Sequence, residues 1–362
     1  MPEMFRKPEM KRAPKSILII KLSAIGDVVH TLPFLEVIRK NFPNARIDWV
    51  IEEASSPIIE GHPAIDHVIV SHRTSWQKQL FRGWESPAAL KGIRKFLEEL
   101  RAETYDWVID LQGLLKSAVL LGLSRGRRKI GPSWGKEGSR FFLTELPFFV
   151  ETDLHAVEKY LKAAEFLECD RTSWKGDIPI READKRSIEK FLHDNEVDGK
   201  VLVAINPMAK WMTKLWELEK FAALADRLQK ELSCKVIFTG SWQDREEVNK
   251  IIQRMDENPL NLTGQTHLKE LAYLYSKCQL LVSTDTGPMH LAAAMGCPVV
   301  ALFGPTAPWR TGPYGPGHTV IRQEMACSPC LKKKCEHLGC MRGITVDRVF
   351  CAVEQQLDLL CS

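Results

Sequence analysis

The 362-residue sequence predicts an α/β protein with two parallel sheets, each covered by helices. Short continuous apolar runs such as Ile17–Lys21 and Val201–Ile205 are typical of strands buried on both faces. Each run precedes a segment with helical spacing, and such alternation is typical of parallel sheets. A polar, proline-containing stretch around Gly176–Ile180 separates two alternating sets. We therefore expect two α/β domains in tandem with a cleft between them.

The first alternating set predicts a domain over residues 16–178. Residues 71–85 form a long polar stretch, and Arg125–Lys129 is expected to be a basic loop. Expected strands cover residues 17–21, 46–51, 67–70 and 107–111, and expected helices cover residues 28–40, 87–100, 114–123 and 155–167.

The second set predicts a domain over residues 179–345, with a last helix in 346–362. Expected strands cover residues 201–205, 235–239, 260–262, 279–284 and 298–303. Expected helices cover residues 182–194, 218–232, 244–255, 268–277, 288–295 and 346–360.

Composition excludes several classes of protein. A hydrophobic share of 44% and a charged share of 27% are those of a globular protein, and a net charge of +4 is too small to indicate nucleic acid. No apolar run reaches the roughly 20 residues that a membrane helix needs. Residues 1–15 lack the apolar core of a secretory signal, so we expect a cytoplasmic protein. We interpret them as a disordered basic tail, either solvated or touching an anionic membrane surface.

The segment Ser283–His290 follows a predicted buried strand and opens a predicted helix. Asp285 or Thr286 is suited to cap that helix, and Pro288 suits its first turn. A helix start carries unpaired N–H groups and partial positive charge, which together favour a phosphate. The alternative is an ordinary capped strand-to-helix turn.

A second loop, Leu22–Asp27, also follows a strand. It has a single glycine, whereas a dinucleotide fingerprint needs three, which counts against a nicotinamide enzyme. The loop instead presents Asp27 at the mouth of the first sheet. Asp27 is either a general base facing the cleft or only a helix cap, and spacing alone leaves both interpretations open.

Four further loops carry polar or aromatic side chains after predicted strands. Gln112, Lys116 and Ser117 offer donors for a polyhydroxylated or anionic ligand, unless they form a plain solvated loop. The third loop offers two lysines for a diphosphate and two tryptophans for a ring: Lys210, Lys214, Trp211 and Trp216. In the fourth loop, the carboxylates of Asp244 and Glu246 suit either a ribose or the first turn of a helix. The last loop, Phe303–Thr306, is a glycine turn.

Taken together, these loops resemble the ADP-heptose lipopolysaccharide heptosyltransferases of glycosyltransferase family 9, most closely the heptosyltransferase I type. The resemblance runs from about residue 17 to residue 360. It is carried by KLSAIGDVVHTLP (21–33), WVIEE (49–53), DLQGLLKS (110–117), HAVEKY (155–160), KLW (214–216), DTGPMHLAAAMG (285–296) and FGPT (303–306).

The resemblance implies a GT-B fold, with two Rossmann-like domains facing each other across a cleft, and inverting, metal-independent transfer of heptose from ADP-heptose to Kdo-lipid A at the cytoplasmic face of the inner membrane. It makes Asp27 the base. The donor is then expected to meet Lys214, Asp285, Thr286, Gly287 and His290, with Asp244 or Glu246 on the ribose. We expect the acceptor to meet Lys21, His30, Gln112 and Lys116. A later heptose or another sugar is the alternative substrate.

Cysteine spacing suggests a further site. Cys327, Cys330, Cys335 and Cys340 have nearly the spacing of a zinc knuckle, which predicts a closed structural zinc site. An iron–sulfur cluster and reduced or disulfide-paired thiols are the alternatives. A metal knuckle with basic loops would also suit a nucleic-acid-binding module, although the sequence lacks the basic and aromatic interleaving of such modules. We therefore expect no nucleic-acid partner, and the family resemblance implies that catalysis needs no cofactor.

Overall fold

The computed structural model describes residues 13–82 and 87–361. The basic residues of the tail that could touch a membrane are Arg6, Lys7, Lys11, Arg12 and Lys15, and all but Lys15 lie outside the described residues. All sheet strands pair in parallel, as the alternation predicts. The strands are β1 (Ser16–Ile20), β2 (Arg46–Glu52), β3 (His67–Ser71), β4 (Thr104–Asp110), β5 (Arg125–Ile130), β6 (Leu202–Asn206), β7 (Lys235–Phe238), β8 (Leu260–Asn261), β9 (Leu280–Thr284), β10 (Val299–Phe303) and β11 (Thr319–Arg322).

Helices connect and cover the strands. They are α1 (Ile25–Val29), α2 (Leu32–Asn41), α3 (Arg73–Arg82), α4 (Pro87–Leu100), α5 (Leu115–Leu123), α6 (Ala156–Phe166), α7 (Glu182–Asp194), α8 (Leu218–Leu232), α9 (Arg245–Ile252), α10 (Leu268–Lys277), α11 (Gly287–Ala294), α12 (Pro308–Thr311), α13 (Gly339–Arg342) and α14 (Val346–Cys361). No helix among the described residues is long and apolar enough to cross a bilayer.

Strand order places the candidate loops together. The first sheet runs β3-β2-β1-β4-β5 and the second β11-β10-β9-β6-β7-β8. In each sheet the order reverses beside its first strand, between β1 and β4 and between β9 and β6. Ligands of open α/β sheets bind beyond the carboxyl ends of the strands at such a switch point. The loops after β1, β4, β6 and β9 are four of the six that the sequence singles out, and the other two follow β7 and β10.

Four local predictions were wrong. The helix expected over residues 28–40 is two helices, α1 and α2, because Pro33 near the start of α2 has no N–H and its ring would clash with the carbonyl one turn earlier. Arg125–Lys129 is an edge strand rather than a loop, with Arg127 and Arg128 paired to Asp106 and Glu145. The polar stretch after residue 71 contains α3, and the short strand β11 was missed.

Candidate active site

The two halves of the chain meet where α1 and α11 cross at glycines. A Cβ atom on Gly26 would lie 2.3 Å from Cδ2 of His290, and one on Gly287 would lie 3.2 Å from Cβ of Ile25. Only a residue without a side chain allows the approach at Gly26, because the ring it meets is itself buried. The start of α11 is therefore held against the helix that carries Asp27.

A histidine pair spans this crossing. Nε2 of His30 and Nδ1 of His290 lie 3.0 Å apart, and the ring of His155 packs edge-on against His30. Burial lowers the pKa of His290 to about 4, although Asp285 and Asp27 act to raise it. Burial also lowers the pKa of His30, and His290 lowers it further. Both rings are therefore neutral near pH 7.

Asp27 lies in the first turn of α1 and is partly exposed. Its Oδ2 accepts a hydrogen bond of 3.2 Å from the backbone N–H of Ala24, so it does cap the helix. The same carboxylate is near enough to raise the pKa values of Lys21 and His290. Capping leaves Asp27 partly exposed on the helix that crosses α11, so the cap does not exclude the role of general base.

Lys21 is placed deeper than an acceptor contact requires. Its ammonium is buried and donates to the hydroxyl of Tyr160 at 2.7 Å and to the carbonyl of Leu111 at 3.4 Å. Burial lowers its pKa, while Asp27 and Asp110 raise it. The positive charge of the buried Lys21 thus offsets part of the negative charge of Asp27.

The loop after β4 supports the loop after β1. The side-chain oxygen of Gln112 accepts from the N–H groups of Leu22 and Ser23, both at 3.2 Å. Lys116 donates to Oγ of Ser23 at 2.6 Å and to Glu52 at 3.1 Å. Gln112 and Lys116 therefore lie beside the segment that leads to Asp27.

On the opposite side of the cleft, Lys214 and Asp285 form an ion pair of 2.7 Å. Thr306 Oγ1 donates to the same carboxylate oxygen of Asp285 at 2.6 Å. Asp285 is buried, so its carboxylate holds Lys214 and Thr306 in place rather than facing solvent. The Lys214 ammonium also lies 4.8 Å from the centre of the Trp211 ring, whereas Trp216 is a core residue.

The start of α11 has no side-chain cap within the part of the chain that the structure describes. Thr286 occupies the N-cap position, but its side chain makes no capping hydrogen bond, and neither does that of Asp285. Thr286 and Gly287 are partly exposed. The uncapped end beside Lys214 is thus suited to an anion.

The two candidate ribose carboxylates differ. Oδ2 of Asp244 accepts from the N–H and hydroxyl of Ser241, at 2.7 and 2.6 Å. Glu246 is highly exposed and pairs with Lys250 at 3.1 Å. Asp244 therefore has the fixed position, and among the described residues its hydrogen bonds use Oδ2 alone.

The zinc prediction is not supported. Among residues 13–82 and 87–361, no three His, Cys, Asp or Glu side chains come together in a way that could hold a metal ion. Cys327 is exposed, whereas Cys340 lies in α13 and is buried against Gly304. The cysteine-rich segment instead contacts the loop after β6, where Oγ1 of Thr213 donates to the carbonyl of Lys332 at 2.9 Å.

Several residues of the site received no individual role from the sequence. Glu52, Tyr160 and Thr306 bind Lys116, Lys21 and Asp285, respectively. Each lies in one of the motifs on which the family resemblance rests. Glu52 and Thr306 lie at or just after strand ends and Tyr160 lies in α6, so the motifs were the shared signal, but the partner of each is remote in sequence.

Comparison with known proteins decides the family. The model of glycosyltransferase family 9 (heptosyltransferase) matches residues 93–340. Lipopolysaccharide heptosyltransferase 1 of Pseudomonas aeruginosa is 32% identical over 331 residues, which are 89% of this chain and 87% of that protein. The chain belongs to glycosyltransferase family 9. It is therefore a glycosyltransferase of the heptosyltransferase family.

Solved family 9 structures share its architecture. The family 9 glycosyl transferase from Veillonella parvula superimposes with a TM-score of 0.82 at 28% identity, covering 95% of this chain and 97% of its own. The Escherichia coli heptosyltransferase WaaC with ADP-2-deoxy-2-fluoro heptose gives a TM-score of 0.71 at 26% identity, covering 94% of this chain and 99% of its own. This heptosyltransferase has the GT-B fold that the sequence predicts.

Proposed function

We propose that this heptosyltransferase transfers heptose from ADP-L-glycero-β-D-manno-heptose to the Kdo-lipid A inner core, in lipopolysaccharide biosynthesis. The observation that carries the proposal is the crossing of α1 and α11, which brings the helix of Asp27 against the uncapped start of α11, a position suited to an anion. The similarity to heptosyltransferase 1 and to a WaaC structure with an ADP-heptose analogue supports the choice of donor and step.

In the proposed reaction, Asp27 takes the proton from an acceptor hydroxyl. The hydroxyl oxygen forms a bond to the anomeric carbon while the bond to the diphosphate oxygen breaks, and ADP leaves with the electron pair. A single displacement inverts the anomeric centre. Amides at the start of α11 and the ammonium of Lys214 stabilise the charge that develops on the diphosphate.

The acceptor would approach from the first domain. Gln112 and Lys116 border the loop that leads to Asp27. His30 adds a buried Nδ1 that has no hydrogen-bond partner among the described residues, and such atoms are normally paired. We assign these three residues to acceptor binding or to the placement of the acceptor loop.

A transfer assay tests the proposed step. Purified enzyme, ADP-heptose and Kdo₂-lipid A are incubated, and the product is identified by mass spectrometry. The proposal expects one heptose to be added. An acceptor that already carries the first heptose serves as the comparison, and exclusive activity on it would assign the enzyme to a later step.

A further inference from the structure

Helix α5 is apolar on both of its faces. Ala118 and Leu121 are buried against the sheet, yet Leu115, Val119 and Leu123 are exposed on the opposite side at a spacing of one helical turn. A helix that is apolar all round is normally buried. The outer stripe of α5 therefore indicates a surface that is covered when the protein works.

A neighbouring loop extends this stripe. Phe141 is 88% exposed and Phe149 is 76% exposed. The ring of Phe142 packs on α5, since a Cβ atom on Gly122 would lie 2.7 Å from it. Seven of the fifteen large exposed apolar side chains in the described part of the chain fall in residues 115–149, which we call the apolar patch: Leu115, Val119, Leu123, Phe141, Phe142, Leu146 and Phe149.

Basic residues accompany the apolar patch. Residues 115–149 contain seven lysines and arginines and two glutamates, whereas the whole chain has a net charge of only +4. Three of the seven pair with carboxylates. The other four form no ion pair among the residues that the structure describes: Arg125, Lys129, Lys136 and Arg140. Of these, Lys129 and Arg140 donate to the carbonyls of Gly122 and Ser133. This stretch therefore combines exposed apolar side chains with an excess of positive charge, and both features are complementary to an anionic lipid surface.

The apolar patch begins at the acceptor side of the cleft. Leu115 adjoins Lys116, whose ammonium donates to Ser23 in the loop that leads to Asp27. We propose that the apolar patch docks on an anionic phospholipid bilayer and holds the cleft at the level of the lipid head groups. This deepens the proposed function, because it states how a membrane-embedded acceptor reaches Asp27, and it rests on that function for the identity of the acceptor.

Vesicle binding tests the docking directly. The full chain is sedimented with vesicles of phosphatidylethanolamine and phosphatidylglycerol, and with vesicles of phosphatidylcholine alone. We expect binding to the anionic vesicles, at least tenfold weaker binding to the neutral ones, and at least a tenfold loss in the double variant Phe141→Ser/Phe149→Ser. Val119→Glu should also weaken binding. Leu360→Ser, which changes an exposed leucine on α14 over the second sheet, is the matched control and should bind like the wild type.

Two further measurements keep the proposals separate. Transfer to a deacylated, water-soluble acceptor should be equal in the wild type and the double variant. If the wild type transferred no heptose to this acceptor, the proposed function would be contradicted, and vesicle binding would still test the docking. Wild-type vesicle binding by the double variant would overturn the docking proposal. So would a stable wild-type dimer in sedimentation velocity that the double variant abolishes, since the patch would then cover a second copy.

Discussion

Nε2 of His30 and Nδ1 of His290 lie 3.0 Å apart, although 260 residues separate them along the chain. One histidine belongs to the half that carries Asp27, and the other to the helix expected to hold the diphosphate. Both rings are buried. A second proton on either ring would place a positive charge in this buried contact, so the contact is stable only while both rings are neutral. We therefore expect protonation of either ring to weaken the contact between α1 and α11.

Acid should destabilise the protein through His290. A histidine in the unfolded chain titrates near 6.5, and burial lowers the pKa of His290 to about 4. Between these values the unfolded chain binds more protons, so stability is lost as pH falls from about 6.5 towards about 4, by on the order of 3 kcal/mol. Urea unfolding of the wild type and of His290→Gln at several pH values measures this. The free energy of unfolding should depend less on pH in His290→Gln than in the wild type. His193→Gln, where the changed ring is exposed, should show the wild-type dependence. The same pH dependence in all three proteins would contradict the assignment.

The pair of Lys214 and Asp285 should be strongly coupled. Lys214→Ala leaves a buried carboxylate with Thr306 as its remaining hydrogen-bond donor, so we expect a destabilisation of about 3 kcal/mol. It should also weaken ADP binding at least tenfold. Asp285→Asn combined with Lys214→Ala should destabilise by clearly less than the sum of the single changes. Unfolding measurements and calorimetric titration with ADP test this, and additive effects would mean that the ion pair contributes little.

Lys116 should act on the acceptor and not on the donor. Its ammonium bridges Ser23 and Glu52 at the first sheet, remote in the chain from the donor loops. Lys116→Ala should raise the acceptor KM about tenfold and leave the Kd for ADP within twofold. The exposed Lys91→Ala on α4 is the control for loss of one positive charge. A weakened affinity for ADP with an unchanged acceptor KM would reverse the assignment.

Asp244 should hold the ribose in preference to Glu246. Asp244 is fixed by Ser241 through Oδ2, and Oδ1 has no partner among the described residues. We expect Asp244→Ala to weaken ADP binding about tenfold and to cost about 1 kcal/mol of stability through the lost cap. Glu246→Ala should change ADP binding by less than twofold, because its side chain is highly exposed. Calorimetry that gives the opposite ranking would assign the ribose to Glu246.

Local patterns predicted most of the fold. Continuous apolar runs identified the buried strands β1, β6, β9 and β10, because burial on both faces leaves no room for polar residues. Edge strands lack this constraint, so the charged β5 was interpreted as a loop and the short β11 was missed.

The candidate site was predictable only in part. Its loops follow strands, and parallel strands end at one edge, so the sequence could place Asp27 and Gln112 together. It could not show that Asp285 is satisfied by Lys214 and Thr306, or that Lys21 is buried. Such pairings depend on tertiary packing between remote segments, and local spacing carries no information about them.

Asp27→Asn tests the central claim most directly, because it keeps the shape of the side chain and removes its basicity. Initial rates of heptose transfer to Kdo₂-lipid A and the Kd for ADP are measured for both proteins. We expect transfer to fall by about 10³-fold or more, while the Kd for ADP stays within threefold. Near wild-type turnover of Asp27→Asn would contradict the account.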